Sequence, residues 1–224
     1  MHLYKYVCRF AQYMDDMFKT QSLFFAYNES IYFRFPDIEL TAGEDLLILG
    51  ESGIGKTTLL HLMAGLLRPK SGSIALKGTS FESLSLRKLD TFRGRHIGLV
   101  FQRPQFFNAL SLSENLLLIQ YLAGKKQDIK RVRQVTERLA IDHKLKEKPY
   151  NMSQGEQQRA AIALAVINNP ALILADEPTS SLDDKNCMKV ATLLKQQAAD
   201  TDATLIIITH DQRLKNLFQN TLEL

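Results

Sequence analysis

An apolar run, Leu46 to Leu49, leads into Gly50, Glu51, Ser52, Gly53, Ile54, Gly55, Lys56, Thr57 and Thr58, and an apolar stretch with helical spacing follows. These nine loop residues are the candidate phosphate-binding set. Glycines free backbone N–H groups to curl around phosphate oxygens, and a helix starting after Gly55 points its positive dipole end at them. Lys56 is spaced to reach the β and γ oxygens of a nucleotide, and the Thr57 hydroxyl is an oxygen ligand for Mg2+. Strand, glycine loop and helix in that order form the context such a loop requires.

A second chemical cluster ends the run ALILADEP. The apolar residues Ala171 to Leu174 predict a fully buried strand beside the phosphate strand, and Asp176 at its carboxyl end is placed to hold magnesium through water. Glu177 follows at once. A carboxylate one residue beyond the magnesium acid can polarise a water in line with a γ phosphate, the role of a general base in hydrolysis. The loop alone permits kinases, GTPases and many motor ATPases, and two acids at a strand end also suit a plain surface.

Holding these groups in place takes a framework of a particular class. From Ser22 onward, short strand-like runs (Leu46 to Leu49, Ile97 to Phe101, Leu172 to Ala175, Leu205 to Thr209) alternate with helical stretches, which predicts an α/β fold with a mainly parallel core sheet. Between Ala109 and Asn151 the strand signals vanish. There ENLLLIQYLAG and DIKRVRQVTERLAI carry apolar residues at helical spacing and predict two amphipathic helices in an inserted helical subdomain, about residues 103–160. Residues 121–150 hold nine Lys and Arg against four acids. A solvated helix face accounts for this excess, and so does contact with anionic lipid headgroups or an acidic partner.

The chain of 224 residues is long enough for a large buried core, and with 45% hydrophobic and 23% charged residues it has the composition of a folded soluble protein. A net charge of +4 suits an anionic ligand and does not demand nucleic acid, so none is expected as a partner. Cys8 and Cys187 lack metal-type spacing and predict structural thiols in a reducing compartment. The longest apolar run, Ala160 to Ile167, is far short of a membrane span, and the N-terminus lacks the apolar core of a signal peptide, which predicts a cytoplasmic location. Residues 1–16 fit neither pattern. They read as a small amphipathic extension lying on the domain or a partner, or else translation begins at Met17.

The stretch SQGEQQRAAIALAVINNPALILADEPTSSLD, Ser153 to Asp183, together with the loop at Gly50 to Thr58, resembles the signature helix, second nucleotide motif and dimer loop of the ATP-binding cassette (ABC) ATPases. The likeness runs from Tyr27 to slightly beyond His210. It implies a P-loop NTPase core with a mainly parallel sheet, N-terminal antiparallel β strands and an inserted α-helical subdomain, the ATP-binding domain filling residues 17–224. It also implies ATP and Mg2+ as cofactors and ATP hydrolysis as the reaction. By the same likeness, Tyr27 stacks on adenine, Gln102 senses magnesium and the attacking water, and His210 contacts the γ phosphate and steadies the water at Glu177. Ser153, Gln154, Gly155 and Glu156 occupy the signature positions, whose helix caps the ATP held by an opposite subunit, and Asp183 is the dimer-loop acid. The working unit implied is a homodimer enclosing two ATP.

Two positions depart from the family pattern. Gln154 replaces a glycine of the usual LSGGQ, which predicts narrower backbone freedom beside phosphate. Leu164 stands where an arginine is common and removes a charge from the signature helix. Among cassettes, the segments LRKLDTFRGRHIGLVFQRPQ, ENLLL and ADEPTSSLD most resemble the lipoprotein-releasing and macrolide-export type. The short span from Gln102 to Ser153 leaves no room for the long coiled coil of DNA-repair relatives, and the chain ends 14 residues after His210, which predicts no regulatory appendix. The type implies a separate integral-membrane permease of the FtsX-like kind, with this subunit peripheral on the inner face of the cell membrane. Its cytoplasmic helix would be gripped near Phe106 and Phe107, residues that equally suit an ordinary core. The alternative is a cell-division-type regulatory ATPase that drives a permease-like partner without transport. A small-molecule kinase leaves SQGEQQR unexplained.

Overall fold

The computed structural model describes residues 16–180 and 182–224. The extension expected at residues 1–16, and Cys8 with it, lies outside them except for Asp16, which opens the first strand. Strand β1 (Asp16–Ala26) pairs antiparallel with β2 (Tyr32–Arg34) and β3 (Ile38–Thr41) along one edge. Strand β4 (Asp45–Leu49) then enters the phosphate loop and helix α1 (Lys56–Met63). Strand β5 (Ser71–Leu76) covers the other edge of β1 and pairs with β6 (Thr79–Ser80), completing an antiparallel layer. Helix α2 (Leu86–His96) leads into β7 (Ile97–Val100).

Between β7 and the next strand the described chain is helical, with α3 (Leu112–Leu122), α4 (Ile129–Arg138) and α5 (Gln154–Val166). Each begins at a capping side chain: Ser111 and Ser153 form reciprocal capping boxes with Glu114 and Glu156, and Asp128 accepts the N–H groups of Lys130 and Arg131. The chain returns through β8 (Leu172–Asp176), α6 (Asp184–Ala199), β9 (Thr204–Thr209) and β10 (Thr221–Glu223). These strands form a wholly parallel sheet in the order β10-β4-β9-β8-β7. The strand carrying Asp176 is therefore not beside the phosphate strand, as its sequence suggests. Strand β9 lies between them, and both β8 and β9 are buried on both faces. Apolar content reports burial but not which strand is the neighbour.

Alternation along the strands builds two cores, one on each face of the parallel sheet. Leu47, Leu49, Ile173, Ala175, Leu205 and Ile207 pack with α5, α6 and the helical region. Leu46, Ile48, Leu172, Leu174, Ile206 and Ile208 pack with α1 and the antiparallel layer. With both faces covered, the carboxyl ends of β4, β8 and β9 are held rigidly side by side, and ligands of open α/β sheets bind at such ends.

Part of the basic excess over residues 121–150 is used inside the fold. Lys125 donates to the carbonyl of Asn168 and Arg131 to that of Val166, both at the end of α5. Arg138 pairs with Asp200 at 2.9 Å, Lys144 with Glu156 at 3.4 Å, and Lys148 lies over the Tyr150 ring. These five contacts give part of the charge a use within the fold.

Candidate active site

The phosphate loop leaves β4 at Gly50, whose N–H donates to the Thr209 carbonyl across the sheet. Gly53 and Gly55 take φ of 86° and 104°, a region open to glycine, and Gly55 is the left-handed residue preceding α1. Gly55 is also crowded: a Cβ there would lie 2.5 Å from the Phe33 ring. Lys56 is buried, and its ammonium donates to the carbonyls of Gly50 (2.7 Å) and Glu51 (2.8 Å) while standing 3.6 Å from Glu177 Oε1. The loop is thereby wrapped around its own cation.

Glu177 follows β8 with φ of 47°, a conformation non-glycine residues seldom hold without support. The support is visible. Its N–H donates to the Ile208 carbonyl at 2.8 Å, Thr209 Oγ1 donates to Oε2 at 2.7 Å, and the His210 N–H and Nδ1 meet Oε1 at 3.1 and 2.8 Å. The carboxylate is thus fixed by three groups at the end of β9 and aimed beside Lys56, while its partner His210 is exposed.

Asp176 closes β8 and is buried. Thr57 Oγ1 donates to its Oδ2 at 3.1 Å, whereas Oδ1 is buried with no hydrogen-bond partner. Burial pushes its carboxyl above the ordinary value, helped by the neighbouring Glu177 charge and opposed by the Thr57 hydroxyl. A buried oxygen lacking a donor beside a threonine hydroxyl is the all-oxygen environment that suits Mg2+.

A cleft of about 590 Å3 gathers Phe33, Glu51, Ser52, Gly53, Gly55, Lys56, Thr57, Thr58, Gln102, Glu177 and His210. Gln102 reaches it from the end of β7 and donates to Ser180 Oγ at 3.2 Å. Tyr27 stands outside this lining, its hydroxyl 3.2 Å from Thr58 Oγ1, and Phe33 stands edge-on to it and lines the cleft instead. The sequence reading missed Phe33, whose only signal was one more aromatic in a short strand. Ser153, Gln154, Gly155, Glu156 and Asp183 are not in this cleft. Gln154, Gly155 and Asp183 line a separate groove of about 790 Å3 between α4, α5 and α6.

Comparison with known proteins decides the family. Residues 35–180 match the ABC transporter family. The chain belongs to the ABC transporter family. It is 37% identical over 190 residues to the lipoprotein-releasing system ATP-binding protein LolD of Bacteroides fragilis (strain YCH46), covering 84% of this chain and 88% of that one. It is 41% identical over 179 residues to the uncharacterized ABC transporter ATP-binding protein YvcR of Bacillus subtilis (strain 168), 78% and 68% of the two chains. Among solved structures, the dimeric bacterial ABC transporter cassette MJ0796 superposes with a TM-score of 0.81 at 29% identity over 93% of this chain and 94% of that one. A post-hydrolysis state of MJ0796 bound to ADP and Pi superposes equally well. The protein is therefore an ATP-binding subunit of an ABC transporter and an ATPase.

Within this ABC subunit, Gln154 is the first residue of α5 and takes no positive φ, so the backbone there does not require the glycine it replaces. Glu156 accepts the Ser153 N–H at 2.8 Å and its hydroxyl at 2.9 Å, and these bonds at the helix N-terminus lower its carboxyl to about 2. Leu164 lines a third groove, about 420 Å3, with Leu99, Phe101, Phe107 and Leu122. Phe106 packs against the core, whereas Phe107 is 53% exposed in the groove. Phe107 is held by a buried residue the sequence reading did not single out. Asn115 accepts the Phe107 N–H at 2.9 Å and donates to the carbonyls of Phe107, Leu110 and Ser111. Among the described residues no helix is long and apolar enough to cross a membrane.

Proposed function

We propose that the chain powers a separate membrane permease of the lipoprotein-release or efflux type, working as a homodimer that closes around two ATP and reopens on hydrolysis. The observation that carries this reading is the division of the expected phosphate-contacting residues between two surfaces of one chain. The loop, Glu177 and His210 line the cleft, while the amino end of α5 and Asp183 lie at another groove. A second copy would bring its α5 terminus, with the positive end of the helix dipole, against the γ phosphate held in the first copy's cleft.

In this reading the N–H groups of Gly50 to Thr58 cradle the phosphates, Lys56 neutralises their terminal oxygens, and Tyr27 and Phe33 offer aromatic surface to the base. Thr57 and Asp176, with Gln102 near them, would hold Mg2+. Bound there, the ion neutralises charge on the phosphate oxygens. Glu177 polarises the attacking water. Thr209 and His210 keep its carboxylate aimed, so that no reorientation is needed as the proton moves. The Leu164 groove, apolar where the family commonly has an arginine, takes the cytoplasmic helix of an FtsX-like permease, which keeps the subunit peripheral on the inner face of the membrane. The likeness to LolD, at 37% identity, supports the lipoprotein-release type.

Glu177→Gln tests the chemistry. The variant keeps the side-chain shape and should bind ATP as the wild type does, with turnover reduced roughly 100-fold or more. Hydrolysis at the wild-type rate would remove Glu177 from its role.

A further inference from the structure

A continuous hydrogen-bonded path leads from Glu177 away from the cleft. Thr209 Oγ1 donates to Glu177 Oε2 at 2.7 Å and accepts the Asp211 N–H at 3.0 Å. The Asp211 carboxylate is 8% exposed and accepts from Thr179 Oγ1 (3.0 Å), Cys187 Sγ (3.3 Å) and the Arg213 fork, through Nε at 2.8 Å and Nη2 at 2.7 Å. Arg213 then reaches beyond it. Its Nη1 and Nη2 both donate to the Leu182 carbonyl at 3.3 Å, and Nη1 also pairs with Asp184. Leu182 and Asp184 flank Asp183, which caps α6 by accepting the Asn186 N–H.

Stability alone is a weak reason for this arrangement. A buried carboxylate loses hydration that its partners only repay, and an apolar pair of similar volume serves a core as well or better. The fork does something an apolar pair cannot: its planar set of donors holds a buried carboxylate on one side and a loop carbonyl on the other in one fixed geometry. The Asp211 carboxyl is held far below, and the Arg213 guanidinium above, their ordinary values, chiefly by each other, so both stay charged across the whole working range.

We propose that Arg213 is a positioning residue that ties the Glu177 carboxylate, through Asp211 and Thr209, to the loop at 182–184, so that seating this loop against a second copy also fixes the aim of Glu177. The inference rests on the proposed reading in which Glu177 polarises water and Asp183 faces the partner copy. Ordering paid for at one end of the path lowers the cost of ordering at the other, which makes dimer closure and hydrolysis two ends of one equilibrium.

Arg213→Lys tests it, because lysine keeps a charge beside Asp211 but cannot hold that carboxylate and the Leu182 carbonyl together; Arg213→Met removes both links. In the Lys variant, melting temperature and monomer ATP affinity should match the wild type while kcat falls roughly 10-fold or more. Placed in the Glu177→Gln background and followed by sedimentation, Arg213→Lys should raise the ATP concentration needed for half dimerisation roughly 5-fold or more, and Arg213→Met should raise it at least as far. Wild-type kcat and an unchanged midpoint in Arg213→Lys would overturn the link, as would a loss of kcat matched by equal losses of melting temperature and ATP affinity, the mark of a purely structural residue. Failure of the underlying reading shows differently: Glu177→Gln alone would then hydrolyse ATP or fail to dimerise with ATP.

Discussion

Glu177 holds a left-handed φ of 47° beneath hydrogen bonds from Thr209 and His210, so the chain spends backbone strain, of order 1–3 kcal/mol, to aim one carboxylate. Glu156 uses the opposite device, an unstrained capping box at the start of α5. Its folded-state value of about 2 lies below the ordinary 4.5, so its contribution to stability is fully present above 4.5 and is lost as pH falls towards 2. Melting Glu156→Gln beside the wild type should give a deficit that is constant from neutral pH down to about 4.5 and shrinks as pH falls further. A deficit that does not change with acidity would mean that the carboxylate charge plays no part in the cap. That Lys56, Thr57, Asp176 and Glu177 come together was legible in the sequence, because their positions follow from spacing to a glycine loop or a strand end. Phe33, Thr209 and Arg213 were not legible, since each acquires its partner only when β2, β9 or the chain after β9 folds against another element.

At the scale of elements, α3 shows how a readable helix can hide its purpose. The ENLLL run announces an amphipathic helix, and α3 does bury Leu112 and Leu116. Asn115, 1% exposed within that run, holds the 107–111 turn through four hydrogen bonds. Asn115→Ala should therefore cost about 1–3 kcal/mol in denaturant unfolding, the penalty of leaving buried backbone groups unpaired, and should speed amide exchange at Phe107. A neutral substitution would show that the turn holds itself. The parallel sheet was legible through its apolar runs, and its order was not. Both β8 and β9 are buried on two faces, and nothing local says which one touches β4. Gln154 teaches the converse: a lost glycine looks harmful in sequence, yet its backbone is ordinary first-turn helix.

At the scale of the whole molecule, the two-faced parallel sheet gathers its strand ends at the cleft, and the helical region displays the start of α5 elsewhere. The groove of Leu99, Phe107, Leu122 and Leu164 is the proposed seat of the permease. Leu164→Arg should keep the basal ATPase rate of the isolated subunit and abolish its stimulation by the reconstituted permease; full stimulation would place the permease elsewhere. The central claim is that one chain holds two incomplete halves of the site. Sedimentation of Glu177→Gln at saturating ATP, alone and combined with Ser153→Arg, tests it most directly. The account predicts a particle of twice the 25.5 kDa chain for the single variant and a monomer for the double variant, whose arginine crowds the partner's γ phosphate. A monomeric single variant, or a double variant that still dimerises with ATP, would contradict it.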